Sequence, residues 1–260
     1  MRTTMKFAHV SGCRREAETS LIGTCPVCGN AVIARCGTQR AWHWAHRSRR
    51  SCDPWWENES DWHRSWKNHF PADWQEIVHS GPYGQRHIAD VKTAAGLVLE
   101  FQHSPLAPME RHARETFYRN MVWVVDGLRR IRDRGAFLEA LQVRRGRTLP
   151  VCMSSDDSAL LRDWSGCTTP VYFDFGTGSL EAPLPLWRLQ PGDHDNKYHL
   201  IPVARDDFVR AHLAGEVLET RLDGLVEEAL EARRSAVTSG GALPGFERYA
   251  ARRLRQRRRY

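Results

Sequence analysis

The spacing of hydrophobic and polar positions changes several times between residues 53 and 130, and each change predicts a new element. Asp53-Pro54 or Asn58 can open a helix that runs to about Phe70 and is stopped by Pro71. Residues 74–79 read as a strand, followed by the turn Ser80-Gly81-Pro82-Tyr83-Gly84. Residues 86–93 and 97–103 alternate apolar and polar side chains, which predicts two strands around Ala94-Ala95-Gly96. Ser104-Pro105 then begins a helix reaching about Asn120. The run Met121-Val122-Trp123-Val124-Val125-Asp126 suits a strand buried on both faces. Helix, three strands, helix, strand is the order of an α/β layer with a mixed sheet.

The flanks read differently. Residues 1–52 combine Cys, His and Gly with short apolar runs such as Ala31-Val32-Ile33-Ala34, the pattern of a small metal-stapled module. Beyond residue 130, strands are predicted at 170–175 and 199–203 and helices at 206–213, 216–235 and 246–259. Three regions result: a Cys/His module at 1–52, an α/β core at 53–130 and a mixed α+β extension at 131–260. The pattern leaves open whether the last is a second domain or an elaboration of the core.

Within the core, the hairpin around Gly96 carries the chemistry. If Gly96 takes the positive-φ position of a three-residue loop, Thr93 faces Leu97, Val91 faces Leu99 and Asp90 faces Glu100. Ala89, Val91, Leu97, Leu99 and Phe101 then share an apolar face, while Asp90, Glu100 and Gln102 share the other. Two opposed carboxylates repel and raise each other's pKa, and a hard divalent cation such as Mg²⁺ or Mn²⁺ relieves that repulsion. Such an ion lowers the pKa of a bound water and neutralises charge on a phosphoryl group. The bland alternative is an exposed hairpin with two solvated acids.

Two helix faces flank this hairpin. Glu59, His63 and Lys67 recur at i, i+4, i+8, as do Glu110, Arg114 and Tyr118. Each set can be a ladder of surface ion pairs or a face that meets phosphate; Arg114 can clamp a phosphate bidentately. Arg86 and His87 are lesser phosphate-contact candidates, and His103 falls on the apolar face.

Cys25-x-x-Cys28 followed by His43-x-x-His46 offers four ligands for tetrahedral Zn²⁺, with Cys36 or Cys52 able to replace one histidine. Four protein ligands leave no open position, so the site would be structural. An incidental or redox pair is the alternative.

Charge adds less. The sequence carries 38 basic and 31 acidic residues, a net +7, and the tail from Arg252 to Arg259 holds six arginines and no acid. That tail suits polyanions or simple solvation equally. No apolar run is long enough for a membrane span and no secretory h-region follows Met1, so a cytoplasmic protein is expected.

Asp90, nine residues, then Glu100-x-Gln102 resembles the split acidic motif of the PD-(D/E)XK nuclease superfamily. The element order resembles that superfamily's restriction-endonuclease-like core. Cys25-Pro26-Val27-Cys28 with His43-Trp44-Ala45-His46, Ala89-Asp90-Val91 and Glu100-x-Gln102 are similar to the competence protein CoiA-like family over roughly residues 8–127. The resemblance implies a DNA nuclease acting in competence or recombination, alone or with other DNA-processing proteins. It implies that Asp90, Glu100 and the Phe101 carbonyl hold the catalytic metal, that Glu59 is the first-helix acid beside it, and that Gln102 stands at the usual lysine position. Glutamine supplies no positive charge, for which Lys92 or Lys67 could compensate. It also implies nucleic-acid contacts from His63, Lys67 and the Arg114-x-x-x-Tyr118 pair. A zinc-containing DNA-binding module without catalysis, or a protein adaptor, is the rival reading.

Overall fold

In the computed structural model the described residues are 4–47, 52–55, 59–144, 150–176, 184–190 and 197–238. Asn58, the helix expected at 246–259 and its basic tail lie outside them. Two compact units divide the chain, residues 1–124 and 125–260.

The first unit opens with six short strands: β1 (Thr4–Met5), β2 (Phe7–Val10), β3 (Cys13–Glu16), β4 (Ile22–Thr24), β5 (Ala31–Arg35) and β6 (His43–His46). They pair in the order β1-β6-β5-β4-β2-β3, antiparallel in each described pair. The core of this sheet is small. Met5, Ala8, Ala17, Cys25, Val27, Val32 and Trp44 fill it. Partly buried Val10, Leu21, Ala34, Cys36, Cys52, Val78 and Ile88 pack against it.

Next come α1 (Asp61–Lys67), β7 (Gln75–Ser80), β8 (Arg86–Lys92), β9 (Val98–Gln102), α2 (Pro108–Tyr118) and β10 (Met121–Asp126). The order is the expected one, with strands β10-β9-β8-β7 side by side. The α1 helix starts later than predicted. Ser60 is its N-cap and accepts from His63 N–H at 3.2 Å. Asp53 does not open this helix; its carboxylate turns toward β8 instead. Gly96 has φ +81°, and the register pairs Val91 with Leu99 and Lys92 with Val98, as the hairpin pattern predicts. Every residue of β9 is buried, so its acidic face is covered rather than solvated. On the α1 side, Trp66 and Phe70 stack on Phe101 with ring centroids 5.5 and 6.4 Å away.

Glu76 ties the two layers of this unit together. Its carboxylate accepts the backbone N–H of Lys6 at 2.8 and 2.9 Å and of Phe7 at 3.0 Å, and it receives Lys67 Nζ at 2.7 Å. Its φ of 46° is costly for a residue with a Cβ, and these four bonds hold it there.

The second unit continues with α3 (Ile131–Arg144), β11 (Val151–Ser154), α4 (Ala159–Trp164), β12 (Val171–Asp174), β13 (Leu186–Leu189), β14 (Lys197–Val203), α5 (Arg205–Leu213) and α6 (Leu218–Thr238). Its strands run antiparallel in the order β11-β14-β13-β12. Arg188, fully buried on β13, is tied to Asp223 and Gln190. Tyr172 donates to Glu219, which also meets His212, so a buried polar network fastens α5 and α6. Among the described residues no helix is long and apolar enough to cross a membrane.

Candidate metal centre and acidic pocket

The loop between β4 and β5 folds as a cysteine knuckle. Cys25 N–H donates to Asn30 O at 2.8 Å, Gly29 N–H donates to Cys25 O at 2.9 Å, and Val27 N–H points at Cys25 Sγ at 3.4 Å. Gly29 has φ +71°, which lets the chain turn back without a Cβ clash. Cys25, Cys28, His46 and Cys52 come together here, their donor atoms within 4.8 Å of one another. Cys25 Sγ is 3.6 Å from Cys52 Sγ, and Cys28 Sγ is 3.3 Å from His46 Nε2. A zinc ion with bonds of about 2.1–2.3 Å would set tetrahedral edges of about 3.5–3.8 Å, so the donors sit close to ligating positions. The contact with Cys52 brings the Cys25 thiol down to about 5, while Cys52 itself is pushed up. This cluster can hold a metal ion such as zinc.

His43 is not part of it, which corrects the ligand set read from the H-x-x-H spacing. Both histidines lie on β6, and a strand sends residues three apart to opposite faces. The cluster takes His46 only. His43 Nδ1 donates to Ala41 O at 2.8 Å, and Cys52, flagged by sequence as a substitute ligand, supplies the fourth donor.

The acidic pocket lies at the β8–β9 hairpin, where the ladder is continued by side chains. Asp90 N–H donates to Glu100 Oε1 at 3.2 Å, and Phe101 N–H donates to Asp90 Oδ2 at 2.9 Å. Each carboxylate thus reaches toward the opposite strand. Both acids line a cavity of about 50 Å³ with Asp53, Glu59, His63, Lys67, Phe101, Gln102, Arg114 and Tyr118. A volume of that size admits a few water-sized groups.

The two acids are held differently. Burial raises the pKa of Asp90, but His63, Lys67 and the Phe101 N–H overcome it and keep Asp90 below the usual range. His63 Nε2 is 2.8 Å from Asp90 Oδ2. Glu100 is pushed well above its ordinary value by burial and by the Asp90 charge, with Arg114 opposing. Their surroundings thus push the two carboxyls in opposite directions, Asp90 down and Glu100 up.

The flanking candidates are placed as follows. Glu59 lines the pocket, but its carboxylate is bound by Arg64 and by Lys67 Nζ at 2.6 Å, which outweigh burial and hold it at about 2. Lys67 is buried between Glu59 and Glu76 rather than at the surface. Arg114 places NH1 3.3 Å from Glu100 Oε2 and also binds Glu110 and the Trp55 carbonyl. Tyr118 is buried beside Glu100, and burial lifts its pKa well above the usual value. Gln102 Nε2 donates to Ser104 O at 2.8 Å.

His87 is buried and serves the interior, correcting its reading as a phosphate contact, whereas Arg86 is exposed and holds the cysteine knuckle. Arg86 donates to Val27 O at 2.5 Å and Pro26 O at 2.8 Å, and His87 Nδ1 meets Asp53 Oδ1 at 2.8 Å. Asp53 itself was legible only as a helix opener, because nothing local in sequence marks an acid whose partners lie 34 and 35 residues away. A groove of about 400 Å³, lined by Arg40, His43, Ser60, Asp61 and His103 among others, shares Thr4 and Glu59 with the pocket.

Residues 23–54 match the family model described as competence protein CoiA, N-terminal domain. The span contains Cys25, Cys28, His46, Cys52 and Asp53. No curated protein and no solved structure matches the chain.

Proposed function

We propose that this chain is a metal-dependent nuclease that hydrolyses DNA phosphodiester bonds at the acidic pocket, with structural zinc on the Cys25/Cys28/His46/Cys52 cluster. The observation that carries the reading is the convergence of Asp90 and Glu100 from facing strands into one small cavity. The CoiA N-terminal match supports it from the other end of the unit, and the order α1-β7-β8-β9-α2-β10 fits a restriction-endonuclease-like core. Competence or recombination, with other DNA-processing proteins as partners, is the setting this match favours.

Asp90, Glu100 and the Phe101 carbonyl would hold Mg²⁺ or Mn²⁺. When bound, the ion supplies an acidified water and neutralises charge on the phosphate. The chain's own residues prepare for it. His63 and the Phe101 N–H fix the Asp90 carboxylate, and Arg114 draws Glu100 to one side. Lys67 lines the same cavity and acts on Asp90 through its charge, although its ammonium is already held by Glu59 and Glu76, so it supplies only part of what a glutamine at position 102 lacks. Arg40 and His43 in the adjoining groove suit the phosphates on either side of the scissile bond.

Incubating the full chain with DNA and Mg²⁺ or Mn²⁺ tests this: metal-dependent cleavage is expected, and intact DNA across both metals would refute it. DNA affinity should fall steeply with salt, and Arg40→Glu should flatten the slope of log affinity on log salt by about one. Metal affinity at the acidic pair should rise with pH, because Glu100 must release a proton to bind a cation. A titration in which Mn²⁺ binds equally well at all pH values would contradict that. Binding without cleavage, the second reading, is favoured by the engagement of Gln102 with Ser104 O. It predicts a shifted but uncut DNA.

A further inference from the structure

Asp53 follows the cluster ligand Cys52 directly, lines the acidic pocket and is 3% exposed. Its carboxylate accepts hydrogen bonds from three neighbouring described residues. Oδ1 takes His87 Nδ1 at 2.8 Å and Trp55 N–H at 3.0 Å, and Oδ2 takes Ile88 N–H at 2.9 Å. From this one group, two short paths lead to the two acids of the hairpin.

The first path runs along β8. Ile88 is two residues before Asp90, and an extended strand transmits position stiffly over that distance. The second runs through Trp55. Its ring stacks on His87 with centroids 3.4 Å apart and planes at 14°. Its carbonyl accepts from Arg114, whose NH1 is 3.3 Å from Glu100 Oε2. A further tie joins the same parts: Arg86, at the start of β8, grips the carbonyls of Pro26 and Val27 between Cys25 and Cys28. The metal cluster and the acidic pair are therefore two ends of one bonded frame, and Asp53 is its junction.

We propose that Asp53 is a positioning residue that sets Asp90 and Glu100 relative to the Cys25/Cys28/His46/Cys52 centre. The hold of the acidic pair on a divalent ion then depends on that centre being loaded. This inference rests on the reading of the acidic pair as a metal site. Groups that orient ligands from behind are worth about tenfold to a hundredfold in metal affinity.

The test is a Mn²⁺ titration of the full chain followed by electron paramagnetic resonance, with Asp53→Ala, Asp53→Asn and Glu100→Gln. Zinc content and the absorption of the cobalt-substituted cluster are recorded for each. Asp53→Ala is expected to keep both cluster signatures and to weaken Mn²⁺ binding by about tenfold or more. Asp53→Asn keeps a carbonyl oxygen for Ile88 N–H and is expected to fall between Ala and wild type. Its intermediate value, obtained with a folded chain, covers the case in which the alanine variant fails to fold. Wild type stripped of cluster metal should show the same weakening. Unchanged Mn²⁺ affinity in both Asp53 variants overturns the proposal while leaving the acidic metal site standing. Loss of zinc from Asp53→Asn also overturns it, because Asp53 would then serve the cluster alone. Full Mn²⁺ binding by Glu100→Gln would instead remove the acidic-site reading, and this inference with it.

Discussion

Glu100→Gln is expected to abolish metal-dependent cleavage, by about a hundredfold or more, in a protein that remains at least as stable as wild type without added metal. The argument rests on how Glu100 is held. Its folded-state pKa is raised above the ordinary carboxylate value by burial and by Asp90. A raised pKa means that its contribution to stability is complete below the unfolded value and is lost as pH rises through the folded value. Near and above that folded value the metal-free protein therefore strains against its own ionised Glu100. Glutamine keeps the shape and still accepts the Asp90 N–H through its oxygen, but never ionises. Arg114 loses one partner and keeps Glu110 and the Trp55 carbonyl. Thermal melts in chelator selective for Mg²⁺ should show the variant's advantage growing with pH and vanishing at low pH. A variant that melts far below wild type at every pH would show Glu100 to be a structural ion-pair partner. Asp90→Ala is a poorer probe. It strips the partner from buried His63 Nε2 and from Phe101 N–H, at a cost of about 2–4 kcal/mol, so inactivity there is confounded with damage.

The second large effect is expected at the cysteine cluster. Structural zinc contributes on the order of 10 kcal/mol of apparent folding energy in small sites, and the sheet around this one has few apolar residues to stand on. Purified protein should carry one zinc per chain. Cys28→Ser and His46→Ala should lose it and melt on the order of 20 °C lower, whereas His43→Ala should retain both metal and stability. The contrast between the two histidines is the sharp part. They are three residues apart on one strand, and only His46 faces the thiols. If His43→Ala released the metal and His46→Ala did not, the cluster geometry would be wrong.

The core of the first unit was legible in sequence because its signals are local. A glycine able to take positive φ fixed the hairpin register, alternation assigned its faces, and Pro71 lies just past the first helix, whereas the second begins at Pro108 rather than at the Ser104-Pro105 that spacing suggested. The N-terminal sheet was not legible. Its strands are two to five residues long, too short for a period to emerge, and the donors that converge on its candidate metal centre span residues 25–52. In the second unit, β11 and β13 are four-residue strands, and α3 mixes Gly135 and charge into its apolar stripe. At the site, the H-x-x-H spacing offered His43 and His46 as joint ligands, which strand geometry denies. Alternation found Asp90 and Glu100 but could not reveal that Lys67 is buried between Glu59 and Glu76, or that Asp53 joins the two centres. Those facts are contacts between distant segments, and period carries no record of them.

Crystals of the full chain soaked in Mn²⁺ and measured at the manganese absorption edge address the central claim most directly. The anomalous peak should lie between Asp90 and Glu100, about 2.1–2.2 Å from an oxygen of each. Manganese found elsewhere, with the two carboxylates still bonded to the facing backbone N–H groups, would contradict it.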